Sequence, residues 1–143
     1  MTDIQRVVLA DGVRLVADCA ITVRRLGPGV LLTSCEGYDG GVLATAVVAL
    51  WREELARAGQ LHVFCDLRKQ TGMIAAARDA YAAFGREVRD RARGTVLVNS
   101  RVLDMIIAVI AMLIGKRALT SMTSAADFDT AIRAVVPDFA GIG

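Results

Sequence analysis

The chain of 143 residues carries 17 Lys and Arg against 15 Asp and Glu, a net charge of +2, and is 55% hydrophobic but only 5% aromatic. Its length suits one domain that buries roughly two thirds of the surface its unfolded chain exposes, with a core of Ala, Val, Leu and Ile. The charge balance excludes the basic footprint of a dedicated nucleic-acid binder, and the longest uncharged apolar run, Met105 to Ile114, is far short of the roughly 20 residues that span a bilayer.

The opening segment, "MTDIQR", has an early acid and no apolar signal core, so export is not expected. "RVVLADGVRLVADCAITVRRLGPGVLLTSCEG" reads as strands, with Asp11-Gly12 and Gly27-Pro28-Gly29 as turns. After Gly37 the period changes. Leu43, Val47, Leu50, Glu54 and Ala58 fall at helical spacing, Trp51 and Leu55 widen the stripe, Asp39 is the expected N-cap, and Gly59 the stop. The strand "LHVFC" follows and opens into a basic loop, Arg68 to Gly72. Ile74, Ala77, Tyr81, Phe84 and Val88 then repeat as a second helix that Gly94 is expected to end.

"TVLVN" is a strand whose continuous apolar run fits cover on both faces. Ser100 caps a third helix, Arg101 to Gly115, and "ALTSM" is a last short strand. Ser124, with Asp127 three residues on, starts a fourth helix that carries Phe128, Ala131, Ile132 and Val135 on one face and ends at Pro137. Strands followed by regular helix–strand alternation give an α/β fold: a mostly parallel sheet of about five strands, entered by an antiparallel hairpin, with four helices. The expected divisions are an N-terminal strand or arm over 1–12, the domain over 13–136, and a flexible tail over 137–143.

A strand ending in "CEGYDGG", a helix, and then "LHVFCDL" resemble the STAS domain, the small α/β module of bacterial anti-sigma-factor antagonists and sulfate-transporter tails. The family's early strand closes on Gly-x-x-Asp, to which Gly37-Tyr38-Asp39 is close, and its central strand closes on Asp-Leu, as Asp66-Leu67 does here. The likeness covers residues 13 to 136 and is one of topology more than of motif. Phosphorylated antagonists place an Asp and a phosphoacceptor Ser at the next helix N-terminus; here the segment reads "RKQTGM", and Thr71 lies near that position without the acidic neighbour. The sequence is more similar to a divergent branch, related to the CRAL-TRIO lipid-transfer fold, that generally lacks the switch. The resemblance thus implies partner binding or binding of an apolar ligand.

The segment after "LHVFC" sits where open α/β sheets place their sites. Asp66 is expected to hold it through backbone N–H groups. Arg68 and Lys69 are solvated or meet an anion, and the glycine pattern of a phosphate loop is absent. Thr71 reads as an N-cap or turn hydroxyl first and a phosphoacceptor second. With Asp39 and Gly72 these residues are the candidate contact site. His62, the single histidine, alternates into a core strand without a nucleophile–base pair, so no catalytic residue is expected. Nor is a metal site or any cofactor: there is no His pair, no Cys-x-x-Cys and no acidic cluster. Cys19, Cys35 and Cys65 read as reduced core thiols of a cytoplasmic protein. Arg86, Arg89, Arg91 and Arg93, interleaved with Glu87 and Asp90, read as a solvated helix end.

"VLDMIIAVIAMLIG" is apolar on every side except for Asp104. One face must meet the sheet, and Met105, Val109 and Met112 need other cover: core, a homodimer or other protein partner, or a small apolar ligand. The expected function is a non-catalytic regulatory interaction module of bacterial type, with an apolar-ligand carrier or sensor as the alternative and a small hydrolase or transferase third.

Overall fold

The computed structural model describes residues 3–115 and 117–143; the first two positions of the expected N-terminal arm lie outside the described residues. Strands β1 (Gln5–Val8), β2 (Gly12–Val16), β3 (Ala20–Gly27) and β4 (Val30–Asp39) form an antiparallel meander. The chain then alternates through α1 (Ala44–Ala58), β5 (Leu61–Met73), α2 (Ala75–Val88), β6 (Ala92–Leu97), α3 (Arg101–Ile114), β7 (Leu119–Met122) and α4 (Ala125–Arg133), and β4 to β7 pair in parallel. The seven strands lie side by side in chain order. The expected α/β class stands, but the sheet has seven strands where about five were expected, because the antiparallel entry is a full four-strand meander.

Turn chemistry sets this entry. Pro28 and Gly29 bridge the Gly27–Val30 pair, with Gly29 at φ +72°, as expected where Pro fixes one turn residue and Gly supplies the left-handed one. Gly29 is also hemmed in: a Cβ there would lie 2.5 Å from the Gln60 carbonyl oxygen.

Side-chain alternation divides the core into two layers. On one face Leu61, Val63 and Leu67 of β5 pack with Leu43, Val47 and Leu55 near and in α1, Phe84 and Val88 of α2, and Leu103, Ile107, Ile110 and Ile114 of α3. On the other, Val30, Phe64 and Leu97 pack with Phe128 and Ile132 of α4, and Phe139 and Ile142 close that smaller layer. Val96 and Leu97 of β6 fall in different layers, which explains the unbroken apolar run. The tail lies along α4: Ile142 N–H donates to Asp129 (3.1 Å), and Arg133 donates to the Phe139 carbonyl (3.0 Å).

Three boundary expectations are corrected. Asp39 does not cap α1; it is the last residue of β4, and the N-cap position is Leu43, without a side-chain cap. Gly94 does not end α2, which stops at Val88; Gly94 lies inside β6 and pairs with Val63 and Leu119. Arg68 to Gly72 is not a loop. β5 runs through it to Met73, paired with β4 as far as Asp39. Between Asp66 and Lys69, and again between Gln70 and Gly72, β5 carries one residue more than β4. Such bulges break the alternation of period two, and with it the sequence signal of a strand.

Candidate functional site

The long parallel pairing of β4 with β5 separates the candidate residues between the two faces of the sheet. Asp39 is on the α1–α3 side and is only 1% exposed. Its Oδ1 accepts from Gly41 N–H (3.0 Å), its Oδ2 from the Tyr81 hydroxyl (2.8 Å), and its carbonyl from Ile74 N–H (2.9 Å). One carboxylate thereby fastens the end of β4 to the start of α1 and to α2. Burial and then the nearby Asp39 charge push the Tyr81 phenol well above its usual range, so it stays a donor.

Asp66 and Arg68 are on the α4 side. Arg68 grips Asp66 in a bidentate pair (Nε to Oδ1, 2.9 Å; Nη2 to Oδ2, 2.8 Å) and donates to the Gly143 carbonyl at 3.1 Å. Its own backbone N–H also donates to Asp66 Oδ1 at 3.2 Å, the backbone role expected of this Asp. The hydrogen bond to Asp66 is the main reason the guanidinium is held above its usual range. Lys69 and Thr71 are exposed. Thr71 is not an N-cap: it sits at the second bulge, and α2 begins after Ile74. Gly72 is buried, and a Cβ there would lie 2.9 Å from the Tyr38 ring. Asp39, Thr71 and Gly72 are therefore near one another across paired strands, while Asp66 and Arg68 are held apart with the C-terminus.

His62 belongs to the α4 face. Its ring stacks on Phe64 (centroids 4.0 Å apart), and Nε2 meets Thr95 Oγ1 at 2.9 Å. Burial, helped by Arg93, lowers its pKa to about 4, so the imidazole is neutral near pH 7. The thiols move the opposite way. Burial pushes Cys65 up to about 12, and burial with Asp39 and Asp18 pushes Cys19 up to about 11. All three cysteines are free.

Helix α3 buries Leu103, Ile107, Ile110 and Ile114 and presents the opposite side to solvent. Ser100 caps it, accepting from Leu103 N–H at 3.1 Å. Val102, Met105, Val109 and Met112 are exposed, Met105 by 64% and Met112 by 77%, with Leu113 beside them. Their spacing of three, four and three makes one straight apolar seam. Between α1–α3 and the sheet lies a cavity of about 130 Å³, lined among others by Val63, Cys65, Met73, Phe84, Ile107 and Ile110, with Asp39 and Tyr81 also in its wall.

Two features were not foreseen from sequence. One is the partnership of Tyr81 with Asp39, 42 residues apart. The other is the placement of Asp18 and Cys19, in the β2–β3 turn, beside Asp39 and Cys35. The first depends on how α2 packs against the end of β4 and the second on strand register, neither of which local spacing encodes.

No protein-family model and no curated protein matches the chain. Solved structures do. An anti-sigma factor antagonist from Mycobacterium paratuberculosis aligns with a TM-score of 0.58 at 17% identity, over 79% of this chain and 92% of the other. An uncharacterized protein of the DUF3478 family with a SpoIIAA-like fold, from Shewanella loihica PV-4, aligns at 0.54 and 14%, over 76% and 88%.

Proposed function

We propose that this chain, which has the STAS fold of the anti-sigma factor antagonists, is a non-catalytic regulatory module that acts by protein–protein contact. The observation that carries this reading is the outer seam of α3. A short helix that spends its apolar residues on both sides needs a second surface to cover the exposed one. The straight 3–4 spacing suits another helix laid alongside, and the same seam on a second copy of the chain is complementary to it. Full burial of each Met or Val contributes about 1.5–3 kcal/mol, so a few per chain offset the cost of association. We assign Val102, Met105, Val109 and Met112 to a homodimer contact. The exposed Lys69 and Thr71 form a second contact edge for the regulated partner, while Asp39 and Gly72 are buried and hold that stretch in place. Thr71 is open to solvent there, but the contact does not depend on its phosphorylation.

The absence of a catalytic role is supported by a histidine locked against Phe64 and Thr95 and by thiols held protonated. Three free thiols suit a reducing compartment such as the cytoplasm, and no helix among the described residues is long and apolar enough to cross a membrane. The experiment is affinity capture with the intact chain, comparing wild type with Thr71→Val, Thr71→Glu and Lys69→Glu. A specific partner lost on Lys69→Glu, and indifferent to the two Thr71 changes, supports the reading; opposite effects of Thr71→Val and Thr71→Glu would establish a phosphorylation switch instead.

The cavity favours a second reading, a carrier or sensor of a small apolar ligand. About 130 Å³ is close to the size of an engineered apolar cavity that takes up benzene. Native mass spectrometry of the purified protein decides between them: a bound apolar molecule favours the carrier, and an unliganded mass the contact module.

A further inference from the structure

We infer that the cavity beneath α3 binds a neutral apolar molecule the size of a single or fused ring, and that its occupancy regulates the contact made by the outer seam of the same helix. The regulation rests on the homodimer reading of that seam. The ligand exchanges with solution and is not a cargo, so a chain purified without it has an unliganded mass. The cavity opens toward one end. Cys35, Asp39 and Val47, each at most 4% exposed, close its inner end. Half-buried Gly85, Ala92, Gly94, Ala118 and Leu119 form the mouth, where α2 and α3 finish and β6 and β7 begin. Cys65 lies between the two ends. It pairs with the buried Thr33 and Val96, yet is itself only half-buried, and it forms part of the cavity wall.

The wall selects the ligand. Its few polar groups are already engaged: Thr33 accepts from Trp51 Nε1, Gln70 donates to the Gly72 carbonyl, and Asp39 accepts from Gly41 and Tyr81. An ion entering here would lose its hydration without new partners, and the Asp39 carboxylate repels anions. A neutral ring of about six to nine heavy atoms suits about 130 Å³, as benzene suits an engineered apolar cavity of about 150 Å³. An acyl chain of lipid length does not fit.

Helix α3 stands between the cavity and the seam. Ile107, Ile110 and Ile114 line the cavity, while Met105, Val109 and Met112, on the same turns, form the seam. The end of α3 also bears on α2, since a Cβ on Gly85 would lie 2.8 Å from Ile114 Cγ2. Side chains around a void lack partner atoms across it, so a free α3 gains contacts by settling inward. A second helix laid on the seam holds α3 outward. The ligand therefore fits the geometry that the dimer holds, and it tightens association through its higher affinity for that geometry. Linkage makes the effect reciprocal, so the dimer takes the ligand more tightly than the monomer does.

The test titrates the intact chain with indole, and with benzoate as a charged molecule of similar size. Calorimetry should give one indole per chain and no benzoate. Cys65→Leu, which fills the cavity, and Ala92→Leu, which narrows its mouth, should each weaken indole about tenfold or more; circular dichroism checks that both are folded. In analytical ultracentrifugation, saturating indole should lower the dimer dissociation constant of wild type about fivefold or more and leave that of Cys65→Leu unchanged. A folded wild type that takes up no indole, or takes up benzoate equally well, overturns the inference. So do folded Cys65→Leu and Ala92→Leu chains that bind indole as wild type does. A dimer that binds indole with its dissociation constant unchanged or raised overturns the regulation alone, whereas a wild type that is monomeric with and without indole overturns the homodimer reading and the regulation with it.

Discussion

His62 shows how burial decides a residue's role. Its folded-state pKa of about 4 lies below the unfolded value of 6.5, so between those values the unfolded chain takes up a proton that the folded chain refuses. Its contribution to stability is complete above about pH 6.5 and is lost as pH falls toward about 4. Urea unfolding at pH 7 and pH 4.5 should show a larger loss for wild type than for His62→Gln, which can keep a hydrogen bond to Thr95; equal losses would contradict the assignment. Tyr81→Phe, which leaves Asp39 Oδ2 without its hydroxyl donor, should cost about 1–3 kcal/mol by denaturation. The sequence made His62 legible as a structural histidine because its strand neighbours are apolar. It did not reveal Tyr81–Asp39, because a hydrogen bond between residues 42 apart leaves no trace in local periodicity.

Among the elements, helices were the most legible and the polar half of β5 the least. Ser100 and Ser124 accept from the N–H groups of Leu103 and Asp127, the geometry their spacing implied, and Ser100→Ala should cost about 1 kcal/mol in thermal or urea melts. In β5 the polar run "DLRKQTG" suggested a loop because two bulges disrupt its alternation and Asp66 pairs with Arg68 on the same strand. Glu54, placed in the apolar stripe of α1 by spacing, is a buried anchor. It accepts from Arg25 Nε and from Gly29 N–H, both at 2.9 Å, which ties the β3–β4 turn to the helix. Glu54→Ala strands that turn amide and should destabilise the chain by about 2–3 kcal/mol in urea unfolding, whereas exposed Glu53→Ala should be near neutral.

At the scale of the molecule, α/β order could be read from alternation alone, and the sheet sequence β1 to β7 follows from connecting neighbours in turn. What could not be read was the division of the candidate residues between two faces, since a bulge reassigns every side chain beyond it. The two layers also leave unequal cover: α4 and the tail close one face, while α3 closes part of the other and keeps its own outer seam in water. The central claim is that this seam is a contact between chains, and multi-angle light scattering at micromolar concentration tests it most directly. Wild type should have the mass of a dimer, and Met105→Glu and Met112→Glu, at positions already 64% and 77% exposed, should give folded monomers. A wild type that is monomeric, or glutamate variants that stay dimeric, would contradict it.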